Sequence, residues 1–385
     1  MDDSTIKADF TIGFLGGGQL ARMSAVEAFH LGMRVAVFST GKDDPVNYMT
    51  PHSIVGSFDD VDAMIEFAKK CDVITLENEF IDSEILQRVK DESGTPMFPS
   101  PDTFKLIENK FIEKETFDDA GIPVAPYALL ETLEDAKDFG DEHGWPFILK
   151  SSKGGYDGYG NETAHNEEDL KSAWTQLGGD NGHELIAEKM IPFTKELAVQ
   201  VARNEHGIEV YHCNETVQED HICTRVITPA PVDEEIRLKA ENLAIEAVLA
   251  IDGRGVFAFE FFLLEDGELL LNESAPRPHN SGHYSIEGCI TSQFENHVRA
   301  VTNLPLGSAA LRSPVVVMEN LLGTHKRPSK AEHIFEAMKT KDAHLHLYGK
   351  ADSKPGRKMG HLTLLGENLV DSLFTLKQIS SGIEI

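Results

Sequence analysis

The sequence predicts a protein of mixed α/β and α+β fold with two or three domains. Three observations support this fold class. Residues 11–38 alternate strand, glycine turn, helix and strand, residues 145–202 combine strand patterns with a glycine-rich loop, and residues 255–276 contain two strongly apolar strand patterns. At 385 residues, the chain is also longer than one small domain usually is.

Composition predicts a cytoplasmic protein with no membrane partner. Hydrophobic residues make up 41% of the chain, which is enough for a sizeable core. No run of about 18 apolar residues is present that could span a bilayer. The opening segment MDDSTIKADF is acidic and lacks the apolar stretch of a secretory signal. The four cysteines are scattered without a CxxC pair, which is typical of reduced thiols in the cytoplasm.

The charge balance argues against nucleic acid as a partner. The formal net charge is −29, whereas binding to a phosphate backbone requires clustered lysine and arginine. An anionic small substrate remains compatible with this charge, because Lys350, Lys354, Arg357 and Lys358 are close together in the sequence. These four cations are either a substrate contact or a solvated turn.

The N-terminal residues predict a βαβ unit with a parallel sheet. Residues 11–15 and 34–38 are strand patterns, and residues 19–31 between them are helical. Gly16-x-Gly18-x-x-Ala21 fits the dinucleotide fingerprint, but no acidic residue ends the second strand to hold a ribose. We therefore expect the glycine turn to bind another phosphate or simply to pack.

Polar residues follow the next predicted strand, residues 72–76. Glu77-Asn78-Glu79 stand beyond the carboxyl end of that strand, where open α/β sheets bind ligands. The triplet is a candidate substrate contact, with a polar helix cap as the alternative. Further on, the sequence predicts one helix over residues 102–120, and residues 121–126 are typical of a linker between domains.

The middle of the chain carries weak signals for nucleotide binding. Strand 145–150 ends in Lys150, which could neutralise a phosphate, and the following loop 151–160 is rich in glycine, whose amides can wrap phosphate oxygens. The loop lacks the GxxxxGK[ST] pattern of a Walker A motif. The backbone after strand 185–188 could pair with an adenine edge, and Glu196 could accept hydrogen bonds from ribose hydroxyls.

A hairpin over residues 255–276 predicts a metal site. If Asp266-Gly267 form a two-residue turn, Glu265 faces Glu268, and Glu260 lies directly opposite Glu273. Two carboxylates at one cross-strand position lie about 5 Å apart at Cβ and repel each other. A cation would compensate that repulsion, and magnesium typically takes one or two carboxylates together with water and substrate phosphates. Two exposed acids at a sheet edge are the alternative.

The order of these features resembles the ATP-grasp family: a lysine-ended strand, a glycine loop, an acid-ended strand and a carboxylate hairpin. Four segments are more specific, namely GFLGGGQLARM (13–23), GGYDGYG (154–160), NESAPRPHNSGH (272–283) and KPGRKMGH (354–361). They resemble one family within the ATP-grasp enzymes, the N5-carboxyaminoimidazole ribonucleotide synthases. The resemblance spans essentially the whole chain.

The resemblance implies three domains. A Rossmann-like, pre-ATP-grasp domain would cover residues 1–112, and an ATP-grasp domain of two subdomains would cover residues 113–310, with the flexible subdomain at about 151–190. A small β-rich domain would follow over residues 311–385.

It also implies a reaction of purine biosynthesis. ATP would phosphorylate bicarbonate to carboxyphosphate, and the 5-amino group of 5-aminoimidazole ribonucleotide would take the carboxylate. Mg²⁺ would be the cofactor, with Mn²⁺ as a substitute, and the enzyme would be a homodimer. The rival hypotheses are another ATP-grasp purine ligase or formate-dependent transferase, and a non-catalytic nucleotide-binding module or NAD oxidoreductase.

The resemblance also implies individual site residues, at the positions of this sequence that match the family's motifs. The resemblance implies ATP contacts at Lys110, Lys150, Gly155, Tyr156, Asp157, Gly158, Tyr159, Gly160, Asn161, Glu188, Lys189, Met190, Ile191, Glu196, Gln218, Asn272 and Glu273, and metal ligands at Glu260 and Glu273. It implies ribonucleotide contacts at Gln19, Glu79, Tyr156, Asp157, Arg277, His279, Asn280, Ser281, Lys350 and Arg357. Asp157, Arg277 and Asn280 would be catalytic, with Arg277 stabilising the charge of carboxyphosphate.

Three positions depart from the family pattern. Gln218 stands where histidine is common, Tyr159 where arginine is common in the glycine loop, and Lys110 where arginine can occur. With Gln218, a contact to the nucleotide that requires histidine would be lost. With Tyr159, one cation that binds phosphate would be missing, and Lys110 would keep the positive charge of arginine but not its bidentate geometry.

Overall fold

A computed structural model describes residues 6–154 and 160–385. Five predicted site residues lie outside the described residues, namely Gly155, Tyr156, Asp157, Gly158 and Tyr159. The described chain has an N-terminal α/β unit, a small antiparallel unit and one large sheet that continues to the last strands of the chain.

The N-terminal unit is built on a parallel sheet in the order β3-β2-β1-β4. This confirms the predicted βαβ arrangement. Its elements are β1 (Thr11–Leu15), α1 (Gln19–His30), β2 (Arg34–Ser39), β3 (Ser53–Val55), α2 (Val61–Ala68), β4 (Val73–Leu76), α3 (Ser83–Ser93), α4 (Pro101–Lys105) and α5 (Lys110–Asp119).

The single helix predicted over residues 102–120 is wrong. The chain forms two helices, α4 and α5, because Asn109 adopts an extended conformation and its side chain accepts hydrogen bonds from the N–H groups of Phe111 and Ile112. An asparagine in this geometry is an N-cap, and it starts a new helix. The break places Lys110 at the first position of α5, beside the site described below.

The antiparallel unit has the strand order β5-β8-β6-β7, with two helices packed on it. Its elements are β5 (Tyr127–Leu130), α6 (Leu133–His143), β6 (Phe147–Ser151), β7 (Asn161–Ala164), α7 (Glu167–Gln176) and β8 (Leu185–Lys189). Residues 121–126, expected to be a linker, are instead tied to two sheets. The N–H of Lys189 donates to Pro126 at 2.9 Å, and the N–H of Leu271 donates to Pro123 at 2.7 Å.

The large sheet runs β14-β13-β9-β11-β12-β15-β19-β17, with β10 paired to β9. The elements of this part of the chain are β9 (Lys195–Asn204), β10 (Gly207–Val210), β11 (Asn214–Glu219), β12 (Ile222–Thr228), α8 (Glu234–Ala250), β13 (Gly255–Leu263), β14 (Leu269–Ala275), α9 (Ser285–Gly288), α10 (Gln293–Val301), β15 (Val315–Leu322), β16 (Arg327–Pro328), α11 (Phe335–Lys339), β17 (Ala343–Leu347), β18 (Asp352–Ser353), β19 (Lys358–Gly366) and α12 (Leu369–Ser380). Of the strands after residue 311, β15, β19 and β17 extend the large sheet, whereas β16 and β18 pair with each other in a separate two-stranded sheet.

Strand alternation separates the core from the site. Phe257, Phe259 and Phe261 of β13 are fully buried in one cluster with residues of α8 and β9. Because successive side chains of a strand point to opposite faces, Glu260 projects from the other face of β13. Among the described residues, no helix is long and apolar enough to cross a membrane.

Candidate active site

The hairpin brings Glu260 and Glu273 together, as the sequence predicted, but by a different route. The two-residue turn is wrong: Leu264 pairs with Glu268 through a 2.9 Å hydrogen bond, so three residues form the loop. That loop shifts the pairing by one residue, and Leu263 faces Leu269. A bulge at Asn272 then removes the shift and returns Glu260 to a position opposite Glu273.

Helix α5 holds the bulged strand in place. The buried ammonium of Lys114 donates to the carbonyl of Asn272 at 2.7 Å and to that of Leu271 at 3.3 Å. One carboxylate oxygen of Glu113 accepts from both the N–H and the hydroxyl of Ser274, at 2.7 Å and 2.6 Å. These contacts flank Glu273 on both sides, so α5 sets the position of this carboxylate. The sequence analysis missed both helix residues.

Glu260 is an acid that the protein keeps from ionising easily. Burial, followed by the charges of Glu273 and Glu196, raises the pKa of Glu260 to about 8, and Lys358 and Arg277 only partly oppose this. Glu273 is more exposed, and the Lys110 ammonium lies 3.7 Å from its carboxylate. The charge of Glu273 also acts on Arg277. These cations do not prevent the rise in the pKa of Glu260.

The two carboxylates fit a divalent cation that a phosphate ligand completes. The described residues contain no cluster of three or more histidine, cysteine or acidic side chains able to hold a metal alone. Magnesium does not need one, because it usually binds one or two carboxylates and fills its other positions with water and substrate phosphates. The facing pair and the raised pKa of Glu260 are the observations that make this fit.

The pKa of Glu260 predicts a pH-dependent stability of the metal-free protein. Since the ordinary pKa is 4.5 and the folded value is about 8, the folded state holds more protons in this window. The free energy of unfolding should therefore fall as pH rises from 4.5 to about 8. Urea unfolding of wild type and Glu260→Gln across the window measures this, and the variant should lose part of the slope. Equal slopes in the two proteins would contradict the assignment.

A buried ionic cluster lies beside the hairpin. The Lys150 ammonium donates to Glu188 at 2.8 Å, and the Lys114 ammonium lies 3.6 Å from the same oxygen. Burial opposes ionisation of Glu188, but the two lysines overcome it and lower its pKa to about 2. The side chain of Glu188 therefore binds lysines, so that only its neighbouring backbone is left to meet an adenine. Lys150 and Lys110, the two lysines predicted to contact phosphates, both act on this carboxylate.

The predicted nucleobase and ribose residues cluster at the junction of β8 and β9. Met190 is half exposed, and Phe193 stacks on Phe262 with ring centroids 4.5 Å apart. Glu196 projects from the same face as Glu260, and Gln218 hydrogen-bonds its carboxylate. The predicted contacts Lys189, Ile191, Gly160 and Asn161 lie at the ends of β8 and β7 or in the adjoining turns.

The glycine turn packs around Glu77, the acid that directly follows β4. The carboxylate of Glu77 accepts from the N–H groups of Gly18 and Leu20, at the start of α1, and burial raises its pKa to about 7. A Cβ at Gly18 would collide with this carboxylate, and Gly16 has a φ of 112°. An acid thus occupies the helix end where a dinucleotide phosphate would bind. Gln19, a predicted ribonucleotide contact, is the first residue of this helix.

Arg277 is held by Glu79 across a domain boundary. The guanidinium binds the carboxylate through two nitrogens, with Nη2 donating to Oε1 at 2.7 Å. Both residues line a cavity of about 140 Å³ together with Lys110, Glu273 and His279. The structure therefore brings predicted phosphate, metal and ribonucleotide residues to one cavity.

The loop after the hairpin joins this cavity to the C-terminal strands. The side-chain amide of Asn280 is buried and exchanges two hydrogen bonds, of 2.8 Å and 2.7 Å, with Asn320 of β15. Burial, and then the charges of Arg277 and Lys358, lower the pKa of His279 well below its ordinary value. His279 is therefore a neutral side chain at the cavity wall. Its Nδ1 lies 3.4 Å from a carboxylate oxygen of Glu260, and this contact is not an ion pair.

The C-terminal cations lie at the edge of the same region. The Lys350 ammonium donates to the carbonyl of Lys358 at 2.7 Å, and Arg357 donates to the carbonyl of Asp352 at 2.6 Å. The charge of Arg357 acts on Asp44 of the N-terminal unit, and that of Lys358 acts on Glu260. The sequence analysis placed Lys358 in the cluster of four cations but did not predict its charge to act on Glu260.

Three family models match consecutive parts of the chain. They are a ribonucleotide synthetase preATP-grasp domain over residues 10–108, an ATP-grasp domain over residues 115–294 and a phosphoribosylaminoimidazole carboxylase C-terminal domain over residues 316–373. The fold and the facing carboxylates thus belong to an ATP-grasp enzyme, which confirms the predicted class.

Comparison with individual proteins identifies the family within the ATP-grasp enzymes. The chain is 38% identical over 366 residues to the N5-carboxyaminoimidazole ribonucleotide synthase of Bacillus subtilis, covering 95% of this chain and 94% of that protein. The crystal structure of the Aspergillus clavatus N5-carboxyaminoimidazole synthase, in complex with ADP and 5-aminoimidazole ribonucleotide, has a TM-score of 0.87 at 36% identity and covers 97% of this chain and 98% of that one. The chain belongs to the N5-carboxyaminoimidazole ribonucleotide synthase family.

Some relatives are longer than this chain. The phosphoribosylaminoimidazole carboxylase of Ogataea methanolica is 40% identical over 370 residues, which cover 94% of this chain and 67% of that protein. The chain therefore spans about two thirds of the length of this relative.

Proposed function

We propose that this chain is an ATP-dependent ligase that carboxylates 5-aminoimidazole ribonucleotide on its 5-amino group with bicarbonate. The γ-phosphoryl group of ATP passes to a bicarbonate oxygen, giving carboxyphosphate and ADP. The amine then forms a bond to the carboxyl carbon, phosphate leaves, and the amine loses a proton. The observation that carries this proposal is the pairing of Glu260 with Glu273, since Glu273 lines a cavity together with Arg277 and Lys110.

Magnesium would be held by Glu260 and Glu273. When bound, the ion neutralises phosphate charge and fixes the orientation of the triphosphate. The carbonyl of Asn272 is already bonded to Lys114, so any contact from that residue to the ion would come from its side chain. Mn²⁺ prefers similar oxygen ligands and would substitute.

The chain's own residues supply position and charge. Lys110, beside Glu273, and Lys150, beside Glu188, would meet the phosphates of ATP. Glu196, with Gln218 bonded to it, would meet the ribose. Arg277, fixed by Glu79, presents a guanidinium to the carboxyphosphate, which it can bind in bidentate fashion. Little covalent work is required of the protein, because phosphoryl transfer depends mainly on positioning and charge neutralisation.

The proposal is tested by ADP release with each substrate omitted in turn. Full activity should require ATP, bicarbonate and the ribonucleotide together. Dependence on formate or glycine in place of bicarbonate would indicate a different ATP-grasp ligase. ADP release that needs no third substrate would overturn the proposed reaction. Bicarbonate as substrate, a homodimer and a cytoplasmic location stay predictions.

Replacing Arg357 with alanine should raise KM for the ribonucleotide roughly 10-fold or more, since a charge-assisted contact to phosphate contributes about 1.5–3 kcal/mol. KM for ATP should change little, because Arg357 lies near Asp44 of the N-terminal unit. Initial rates with each substrate varied separately measure both constants. A weakened ATP interaction instead would mean that the C-terminal cations serve the nucleotide.

A further inference from the structure

A buried chain of polar side chains runs from the large sheet to His279. The amide nitrogen of Asn214 donates to the Gln200 oxygen at 3.2 Å, and the amide nitrogen of Gln200 donates to the Ser281 hydroxyl at 2.9 Å. That hydroxyl lies 2.8 Å from Nδ1 of His279. Asn214, Gln200 and Ser281 are at most 1% exposed. Gln200 and Asn214 project from the sheet face that also carries Glu260, and Ser281 belongs to the loop after the hairpin.

The direction of these bonds decides which nitrogen of the His279 ring carries the proton. Ser281 receives a hydrogen bond from Gln200, so its own hydroxyl proton is available to donate to Nδ1. The backbone N–H of Ser281 also points to Nδ1, at 3.4 Å, and a backbone N–H can only donate. A nitrogen that accepts both bonds has no proton of its own.

One group opposes this assignment. A carboxylate oxygen of Glu260 lies 3.4 Å from the same Nδ1 and, when ionised, would attract a proton there. The Ser281 hydroxyl is closer, and it is held from behind by Gln200. The loop backbone is fixed as well, because the side-chain amide of Gln293 donates to the His279 carbonyl and accepts from its N–H.

We propose that Gln200 is a positioning residue that fixes His279 as the Nε2–H tautomer and so makes it a hydrogen-bond donor at the cavity wall. This inference rests on the proposed function, and it assigns His279 a place in it. Nε2 is on the ring edge opposite Nδ1, and His279 lines the cavity that Arg277 and Glu273 share. An N–H there donates to an oxygen of bicarbonate or carboxyphosphate, and it cannot accept the proton that the amine loses.

The expected loss of activity is taken from metal sites in which a second group orients a histidine. Losing that outer partner typically lowers activity roughly 10-fold to 100-fold. Gln200→Met keeps the side-chain volume and removes both hydrogen bonds. We expect kcat to fall within that range, with the KM for ATP nearly unchanged.

The decisive test reads the tautomer itself. Long-range ¹H–¹⁵N correlation spectra of ¹⁵N-histidine-labelled protein distinguish a protonated from an unprotonated ring nitrogen, and His279→Asn identifies the signals by their loss. Wild type should show an unprotonated Nδ1 and a protonated Nε2. Gln200→Met should add a population with the proton on Nδ1. These spectra do not depend on turnover, so they stand even if the proposed reaction fails.

A matched control separates orientation from loss of packing. Asn204→Leu also removes two hydrogen bonds from a buried amide on β9, to the Leu304 carbonyl and from the His206 N–H, but these do not lead to His279. This variant should keep the wild-type tautomer and kcat. A wild-type ring protonated on Nδ1, or a Gln200→Met ring unchanged from wild type, would overturn the proposal.

Discussion

Replacing Glu273 with alanine is expected to lower kcat by at least about 10³-fold, which corresponds to about 4 kcal/mol of transition-state stabilisation. The variant keeps Glu260 but loses the second carboxylate that faces it. With one protein ligand in place of two, the triphosphate would no longer be held in a fixed orientation.

The same substitution should not destabilise the metal-free protein. The charge of Glu273 is one cause of the raised pKa of Glu260, so its removal relieves a repulsion on the buried Glu260 carboxyl. Lys110, its nearby cation, retains attraction from Glu113, Glu188 and Glu79. We expect an unchanged or higher melting temperature by thermal scanning without metal. A loss of more than a few degrees would contradict the paired-acid geometry.

Glu268→Ala is the matched control for this variant. Glu268 is an acid of the same hairpin, and it is largely exposed in a surface pair with Lys239. Because exposed pairs contribute at most about 1 kcal/mol, this change should leave both kcat and stability close to wild type.

Lys114→Met is expected to cost about 3 kcal/mol of folding stability and to weaken magnesium binding together. Lys114 is 3% exposed and donates to the two carbonyls that form the bulge. Removing one member of a buried ionic cluster typically costs about 3–5 kcal/mol, and the lower value applies because Lys150 still pairs with Glu188. Without the bulge, Asn272 and not Glu273 would face Glu260.

Urea unfolding and magnesium titration of the variant measure the two effects. Lys239→Met makes the same change in an exposed pair and should cost less than about 1 kcal/mol. If Lys114→Met behaved like this control, or if it lost stability while keeping full magnesium affinity, α5 would not be setting the position of Glu273.

The pairing of Glu260 with Glu273 was predicted correctly, although the turn of the hairpin was not. Counting from a two-residue turn placed Glu260 opposite Glu273, and the structure has the same pair. The longer turn and the bulge at Asn272 cancel each other. The bulge depends on Lys114, which is distant in the sequence and contacts the strand only in the folded protein, so no local pattern could reveal it.

Contacts between residues distant in the sequence also explain why other residues of the site were not predicted. Elements with a clear local period, such as β1, α1 and β13, were predicted to within a residue or two. Glu113 and Lys114 could have been noticed, because they lie four and three residues, respectively, before the buried Phe117 on one helix face. Gln200 offered no such signal, since a polar residue in an alternating strand is usually a solvated one.

The most direct test of the proposed reaction follows an oxygen atom. With bicarbonate labelled with ¹⁸O and unlabelled water, transfer of the γ-phosphoryl group to bicarbonate must place one bicarbonate oxygen in the released phosphate. Mass spectrometry of the phosphate formed during turnover with the ribonucleotide should therefore find one ¹⁸O in each molecule. Phosphate without label would mean that water, and not bicarbonate, attacks the phosphoryl group, and it would contradict the reaction proposed for this chain.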